Sequence, residues 1–408
     1  MPEKKQLLRI GAEIYLAQGD KKHCLYNLNN GTLYSITDDV VEVIRRLRQP
    51  ETSIADLNTE EKGIAEALLA ENIMLAPAPP VEQGSKLTEE TSKAVVIEFA
   101  WLEVTDRCNL ACIHCYNGSA RESGKEMSFE HFQFAVGELK NIGVDKIQLI
   151  GGEPLLHKDL RRMISYCRDR FSFLEVFTNG TLIDEQWGDI FKEYAVNVAV
   201  SVYSYDPANH EKVTRSAGSH AKTERGLMLL KERGVPFRTA CIRMAGIEIG
   251  RRNTALYDLS CRQSAVRLSG RASLKLLDRE LIQKKLITKK TFSSPVNEQF
   301  FKTMAGLNNC FSRRLYIAAD LDVYPCVMER RLKHGNLRDA GLATLLKREI
   351  MTLGKDEIEV CCDCEFRYAC FDCRPDSLRK GIYDRPWYCT YNPYAGEWAP
   401  DGTLAGDK

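Results

Sequence analysis

Three cysteines stand close together in Cys108-Asn109-Leu110-Ala111-Cys112-Ile113-His114-Cys115-Tyr116. Thiolates bind zinc or iron–sulfur clusters. Three thiolates leave one iron of a four-iron cluster without a protein ligand. A structural zinc knuckle is the alternative, because zinc also takes short-spaced cysteine pairs. Further on come Cys310, Cys326, Cys361, Cys362, Cys364, Cys370, Cys373 and Cys389. Cys361-x2-Cys364-x5-Cys370-x2-Cys373 with a trailing cysteine is a dense ligand pattern, for which a zinc ribbon is again the alternative. Cys24, Cys167 and Cys241 are isolated and read as plain buried thiols.

Gly151-Gly152-Glu153-Pro154 joins two glycines, which let backbone approach a ligand closely, to a carboxylate that can accept from a cation. Thr178-Asn179-Gly180-Thr181, Ser201 and Arg215 are further polar positions. A turn asparagine, a strand serine and a solvated arginine are equally good readings of them.

Elements must position these groups. Val95 to Val104 reads as a strand that ends just before the cysteine loop. Strands and helices then alternate as far as Met244, which predicts parallel strands with crossover helices. Cysteine loop, Gly151–Pro154, Asn179 and Ser201 all fall at carboxyl ends of strands, where ligands bind in such folds. Arg267-Leu268-Ser269-Gly270-Arg271 lies near the sixth strand. Leu315 to Pro325 reads as a hairpin turning near Asp320–Asp322. Ahead of all this, Arg9–Ala17, His23–Leu28 and Gly31–Ile36 read as three strands. Helices follow from Asp38, from near Ser53 and over Glu60–Asn72. Pro77 to Ser92 is Pro-rich and then polar, a linker.

The 408 residues suffice for two or three domains, and 44% hydrophobic residues suffice for a core. Lys+Arg total 57 and Asp+Glu 56, a balance that gives no electrostatic reason to expect nucleic acid or membrane as partner. The N-terminus leads into no signal-peptide core, and no apolar run approaches a membrane span. A cytosolic protein is expected. Fifteen cysteines in a reducing compartment then point to metal rather than disulfides.

The Cys108–Cys115 spacing, with an aromatic after the last cysteine and Gly151–Pro154 one β/α unit downstream, resembles the radical S-adenosylmethionine (SAM) superfamily. The cysteine pattern from Cys310 to Cys389 resembles the SPASM extension of peptide-modifying members. The N-terminal segment resembles PqqD-like recognition elements that hold precursor leader peptides. The resemblance implies a partial (β/α)6 barrel at 95–305, after a winged-helix-like domain at 1–76 and a linker at 77–94, with a SPASM domain at 306–408. It implies that Cys108, Cys112 and Cys115 hold a [4Fe–4S] cluster whose open iron chelates SAM. Gly151, Gly152, Glu153, Pro154, Asn179, Ser201 and Arg215 would bind SAM.

Two auxiliary clusters are implied: an outer one on Cys361, Cys364, Cys370 and Cys389, and an inner one on Cys310, Cys326 and Cys373. No cysteine shortly before Cys310 offers a fourth inner ligand. A substrate cysteine, Cys261 or Cys362 could take that place. By the same resemblance the chain is an oxidoreductase that cleaves SAM reductively and modifies a ribosomally made precursor peptide. Its leader would add as a strand at Thr32–Ile36, opposite the Glu60–Asn72 helix. An external donor such as flavodoxin or ferredoxin would supply the electron. A cysteine thioether is the leading product. A carbon–carbon cross-link or dehydrogenation of a residue is the alternative, and a non-catalytic metal and peptide-binding module is the alternative of another class.

Overall fold

The computed structural model describes residues 7–11, 13–49, 51–73, 96–118, 124–251, 262–371, 373–378 and 381–400. The expected linker and Cys261 lie outside them. The chain forms two compact units that do not follow chain order. One comprises Met1–Ala94, Leu286–Asn309 and Thr352–Lys408; the other comprises Val95–Lys285 and Cys310–Met351.

The first unit opens with an antiparallel sheet of four strands, β1 (Leu7–Gly11), β2 (Ile14–Gln18), β3 (His23–Asn27) and β4 (Thr32–Ile36), paired in that order. The single strand expected over Arg9–Ala17 is instead two strands. Glu13 takes a left-handed conformation (φ 55°) and the β1–β2 register shifts between Arg9 and Gly11. Helix α1 (Asp38–Leu47) and helix α2 (Thr59–Ala70) follow, with a 3-10 turn at Ile54–Asp56 between them. Asn58 caps α2 reciprocally with Glu61. Ile10, Ile14, Leu16 and Leu25 face Val41, Ile44 and Leu68 of the two helices. β1 and β4 are the edge strands, and Tyr34 on β4 donates to Glu71 at the end of α2 (2.7 Å).

The second unit is built on strands β5 (Phe99–Thr105), β6 (Lys146–Gly151), β7 (Phe173–Thr178), β8 (Asn197–Ser201), β9 (Phe237–Arg243) and β10 (Arg262–Ala265). They pair in parallel and in sequence order, as the alternation predicts. Helices α3 (Phe129–Asn141), α4 (Leu160–Cys167), α5 (Glu185–Glu193), α6 (Pro207–Thr214) and α7 (Ser219–Glu232) fill the crossovers. β11 (Arg314–Ile317) adds parallel to β5, and β12 (Asp322–Tyr324) and β13 (Gly335–Asn336) extend it antiparallel. The expected hairpin is thus the outer part of the same sheet.

The two faces of these strands differ in chemistry. Ala100, Leu102, Val104, Ile147, Leu149, Val176, Val198 and Val200 are buried against Phe132, Val136, Leu139, Met163 and Ile164 of the helices. The alternate positions, Glu103, Gln148 and Glu175, are buried and polar. Helix α8 (Arg279–Lys285) ends this part of the chain.

The rest of the first unit carries helix α9 (Glu298–Gly306) and the short strands β14 (Tyr391–Asn392) and β15 (Glu397–Trp398). β3 is buried along its whole length. Its second face, with β2, supplies Tyr15, Ala17, Cys24 and Tyr26 to a core shared with Phe301, Phe366, Tyr368 and Tyr391. The Phe301 ring lies 5.0 Å from Tyr15 and 4.8 Å from Tyr26. Tyr26 donates to the Glu365 carbonyl (2.7 Å), and Arg367 donates to the Gln18 carbonyl (2.7 Å). The N-terminal sheet therefore shares one core with the cysteine-rich segment.

Candidate functional site

β5 delivers the chain to the cysteine loop, and four other segments of the second unit hold that loop in place. From Gly152, N–H donates to the Thr105 carbonyl (2.8 Å), and from Glu153 to the Arg107 carbonyl (2.7 Å). A Cβ on Gly151 would sit 2.1 Å from the Thr105 oxygen, and one on Gly152 2.1 Å from the Arg107 oxygen. The glycine pair thus permits close approach to the stem of the cysteine loop. Ala111 and Ile113 donate to the Thr214 and Val213 carbonyls at the end of α6 (3.1 and 3.0 Å). Arg215 follows directly, exposed and left-handed at φ 54°.

Glu153 is fully buried. Its carboxylate accepts from Leu155 N–H (3.1 Å), Thr178 hydroxyl (2.6 Å) and Asn179 N–H (2.7 Å). Those donors belong to this chain, so the side chain locks two loops together. Burial pushes its pKa up to about 7, against the pull of the three donors. Asn179 donates to Asn109 (2.8 Å) and accepts from Thr181, and Asn109 donates to Thr181 (2.8 Å). This network joins the third strand end to the cysteine loop. Ser201 reaches the same loop through Tyr203, whose hydroxyl bonds to both Ser201 and Cys112.

Cys108 is buried, and Cys112 and Cys115 are half-buried. Burial first, then the neighbouring carboxylate and thiolates, pushes Cys108 up to about 12. Burial pushes Cys112 up to about 11. Desolvated thiols that repel one another as thiolates suit a cationic core, which displaces their protons on binding. Among the described residues no three Cys, His, Asp or Glu side chains converge on a single-ion site. A four-iron cluster takes each ligand on a different iron. His114 is buried, its ring 4.7 Å from that of Tyr203, and burial lowers its pKa to about 4.

Two holding segments carry no role in the sequence reading. Arg271 donates from its backbone to the Cys115 carbonyl (2.9 Å) and from Nε to the Cys112 carbonyl (3.0 Å). Gly270 is left-handed (φ 60°), and a Cβ there would sit 2.3 Å from the Cys115 oxygen. The glycine was the available signal. On the polar face of β5, buried Glu103 accepts from Asn117 (2.8 Å) and from Tyr316, with Arg330 at 3.6 Å. Arg330 lies 4.0 Å over the Tyr316 ring. A charged residue midway through an apolar strand was the available signal for that cluster. Cys310 and Cys326, whose thiolates sense each other electrostatically, are in the second unit, and Cys373 belongs to the first.

In the first unit, Cys361, Cys364, Cys370 and Cys389 line one cavity. The remaining lining includes Lys355, Arg367, Arg385, Phe292, Tyr391 and Trp398, and among the described residues no carboxylate. Burial raises the pKa of Cys361 to about 11 and that of Cys370 as well. Two buried and two half-buried thiols beside cationic side chains fit an anionic metal–thiolate centre.

Residues 102–248 match the radical SAM superfamily. This segment is a radical SAM domain. The chain is 33% identical over 144 residues to the antilisterial bacteriocin subtilosin biosynthesis protein AlbA of Bacillus subtilis, covering 35% of this chain and 32% of AlbA. It is also 33% identical over 126 residues to a probable GTP 3',8-cyclase of Methanopyrus kandleri, covering 31% of this chain and 41% of that one. The chain thus spans well under half of these curated relatives. The crystal structure of Streptococcus suis SuiB bound to S-adenosylmethionine aligns with a TM-score of 0.55 at 14% identity, over 94% of this chain and 100% of SuiB. SuiB has also been solved bound to its precursor peptide SuiA; that structure aligns at TM-score 0.52 and 13% identity, over 93% of this chain and 98% of SuiB. These likenesses are of fold alone. No helix among the described residues is long and apolar enough to cross a membrane.

Proposed function

We propose that the protein is a radical SAM maturase that modifies a ribosomally made precursor peptide. The observation that carries this reading is the cysteine loop, held on four sides by Gly152–Glu153, Asn179, α6 and Gly270–Arg271. Cys108, Cys112 and Cys115 would hold the catalytic [4Fe–4S] cluster. The chemistry such a cluster supplies is one-electron cleavage of SAM to methionine and a 5′-deoxyadenosyl radical that takes a hydrogen from substrate. Backbone of Gly151–Pro154, with Asn179, Ser201 and Arg215, would orient SAM against it. Glu153 holds those loops in register rather than moving a proton.

A peptide substrate is favoured over a nucleotide by the flanking parts of the chain. Over about a third of its length the chain is equally identical to AlbA and to a probable GTP cyclase. Likeness to SuiB extends over nearly the whole chain, and AlbA serves bacteriocin biosynthesis. β4, open on one side beside α2, is where an extended leader would add. The four-cysteine cavity would hold the outer auxiliary cluster.

The product proposed is a cysteine thioether. Mass analysis and thiol counting of a cysteine-containing precursor, after incubation with reduced enzyme and SAM, test it. Loss of two hydrogens together with one free thiol is expected. Loss of two hydrogens with every thiol retained would favour a carbon–carbon cross-link or a dehydrogenated residue instead.

A further inference from the structure

We propose that Lys355 sets the reduction potential of the cluster in the four-cysteine cavity, raising it by stabilising the reduced form. The inference rests on the reading of that cavity as an iron–sulfur site.

Lys355 is 2% exposed, and its ammonium donates to Cys370 Sγ at 3.7 Å. A 3-10 turn, Lys355–Glu357, holds it, with the Glu357 carboxylate accepting from Gly354 N–H (2.9 Å). The other cations of the lining are engaged elsewhere. Arg367 pairs with Asp356 (2.8 Å) and donates to the Gln18 carbonyl, and Arg385 donates to the Tyr391 carbonyl (2.9 Å). Among the described residues no carboxylate lines the cavity. Lys355 is thus a lining cation whose ammonium meets a cysteine sulfur.

One-electron reduction adds a negative charge to a four-thiolate cluster. Hydrogen bonds to the sulfurs and nearby net charge set the potential of such clusters. A buried ammonium at a ligand sulfur favours the more negative state, and burial spares the interaction from salt screening. Its removal leaves the oxidised form relatively favoured and lowers the potential. Lys355 acts through Cys370 and is a positioning residue in this sense, with no contact to substrate required.

Potentiometric titration of the holoenzyme with dithionite, followed by electron paramagnetic resonance, tests the proposal. The couple that belongs to the cavity is the one lost in Cys361→Ala. In Lys355→Met the ratio of reduced to oxidised cluster at a fixed potential should fall about tenfold, a shift of about 59 mV for one electron. Lys355→Arg, which keeps the charge, should restore most of it. An unchanged potential in a fully iron-loaded Lys355→Met protein would overturn the proposal. So would a Lys355→Met protein that loses this cluster's iron, which would make the lysine an assembly residue. A wild-type protein with no couple lost in Cys361→Ala would instead remove the iron–sulfur reading itself, before any lysine variant is measured.

Discussion

Glu153 has no water contact and three donors around its carboxylate. Its pKa stands at about 7 against an ordinary 4.5, so burial outweighs those donors. Between those two values the folded, cluster-free chain keeps a proton that the unfolded chain has released. Stability then falls as pH rises through the window and levels off above about 7. The whole effect is about 3 kcal/mol. Urea denaturation of the cluster-free protein across pH 4.5 to 8 should show this slope, and Glu153→Gln should flatten it. An equal slope in the variant would assign it to other groups. Gly-Gly-Glu-Pro was legible as a motif. What its members do locally was not, since a sequence does not show that the glycines close on residues 105–107 or that the carboxylate locks two loops together.

Helix α6 serves the site through its last turn. Its carbonyls at Val213 and Thr214 receive the cysteine loop, and Arg215 is then forced into a left-handed conformation. That conformation costs a non-glycine residue roughly 1 kcal/mol. Arg215→Gly should therefore leave the melting temperature equal or higher, while reductive cleavage of SAM falls at least tenfold. Full cleavage activity in Arg215→Gly would remove the arginine from the SAM site. The polar face of β5 makes a second prediction. Glu103 is 4% exposed and Arg330 is its cationic neighbour, so Arg330→Ala leaves a buried carboxylate without its countercharge. A loss of about 3 kcal/mol in denaturant titration is expected. An unchanged midpoint would mean that Tyr316, Asn117 and the Ala319 N–H satisfy Glu103 without the arginine. Strand and helix alternation was readable here because apolar periodicity is local. The Glu103–Tyr316–Arg330 cluster was not, because its members are joined only by the pairing of β11 with β5.

At the scale of the molecule, the order of segments along the chain was legible and their packing was not. The sequence reading separates the N-terminal sheet from the cysteine-rich end. In the structure Tyr15 and Tyr26 share a core with Phe301, Phe366 and Tyr368, because β2 and β3 are buried on both faces. Runs such as His23-Cys24-Leu25-Tyr26-Asn27 carry this information only as a lack of alternation. Four cysteines spread over Cys361–Cys389 were readable as a set, and they line one cavity.

The central claim is that Cys108, Cys112 and Cys115 support reductive SAM cleavage. Anaerobically reconstituted, reduced protein incubated with SAM should release 5′-deoxyadenosine and methionine, quantified by liquid chromatography and mass spectrometry. Cys112→Ala should release neither. Equal 5′-deoxyadenosine from Cys112→Ala, or none from the iron-loaded wild type, would contradict the account.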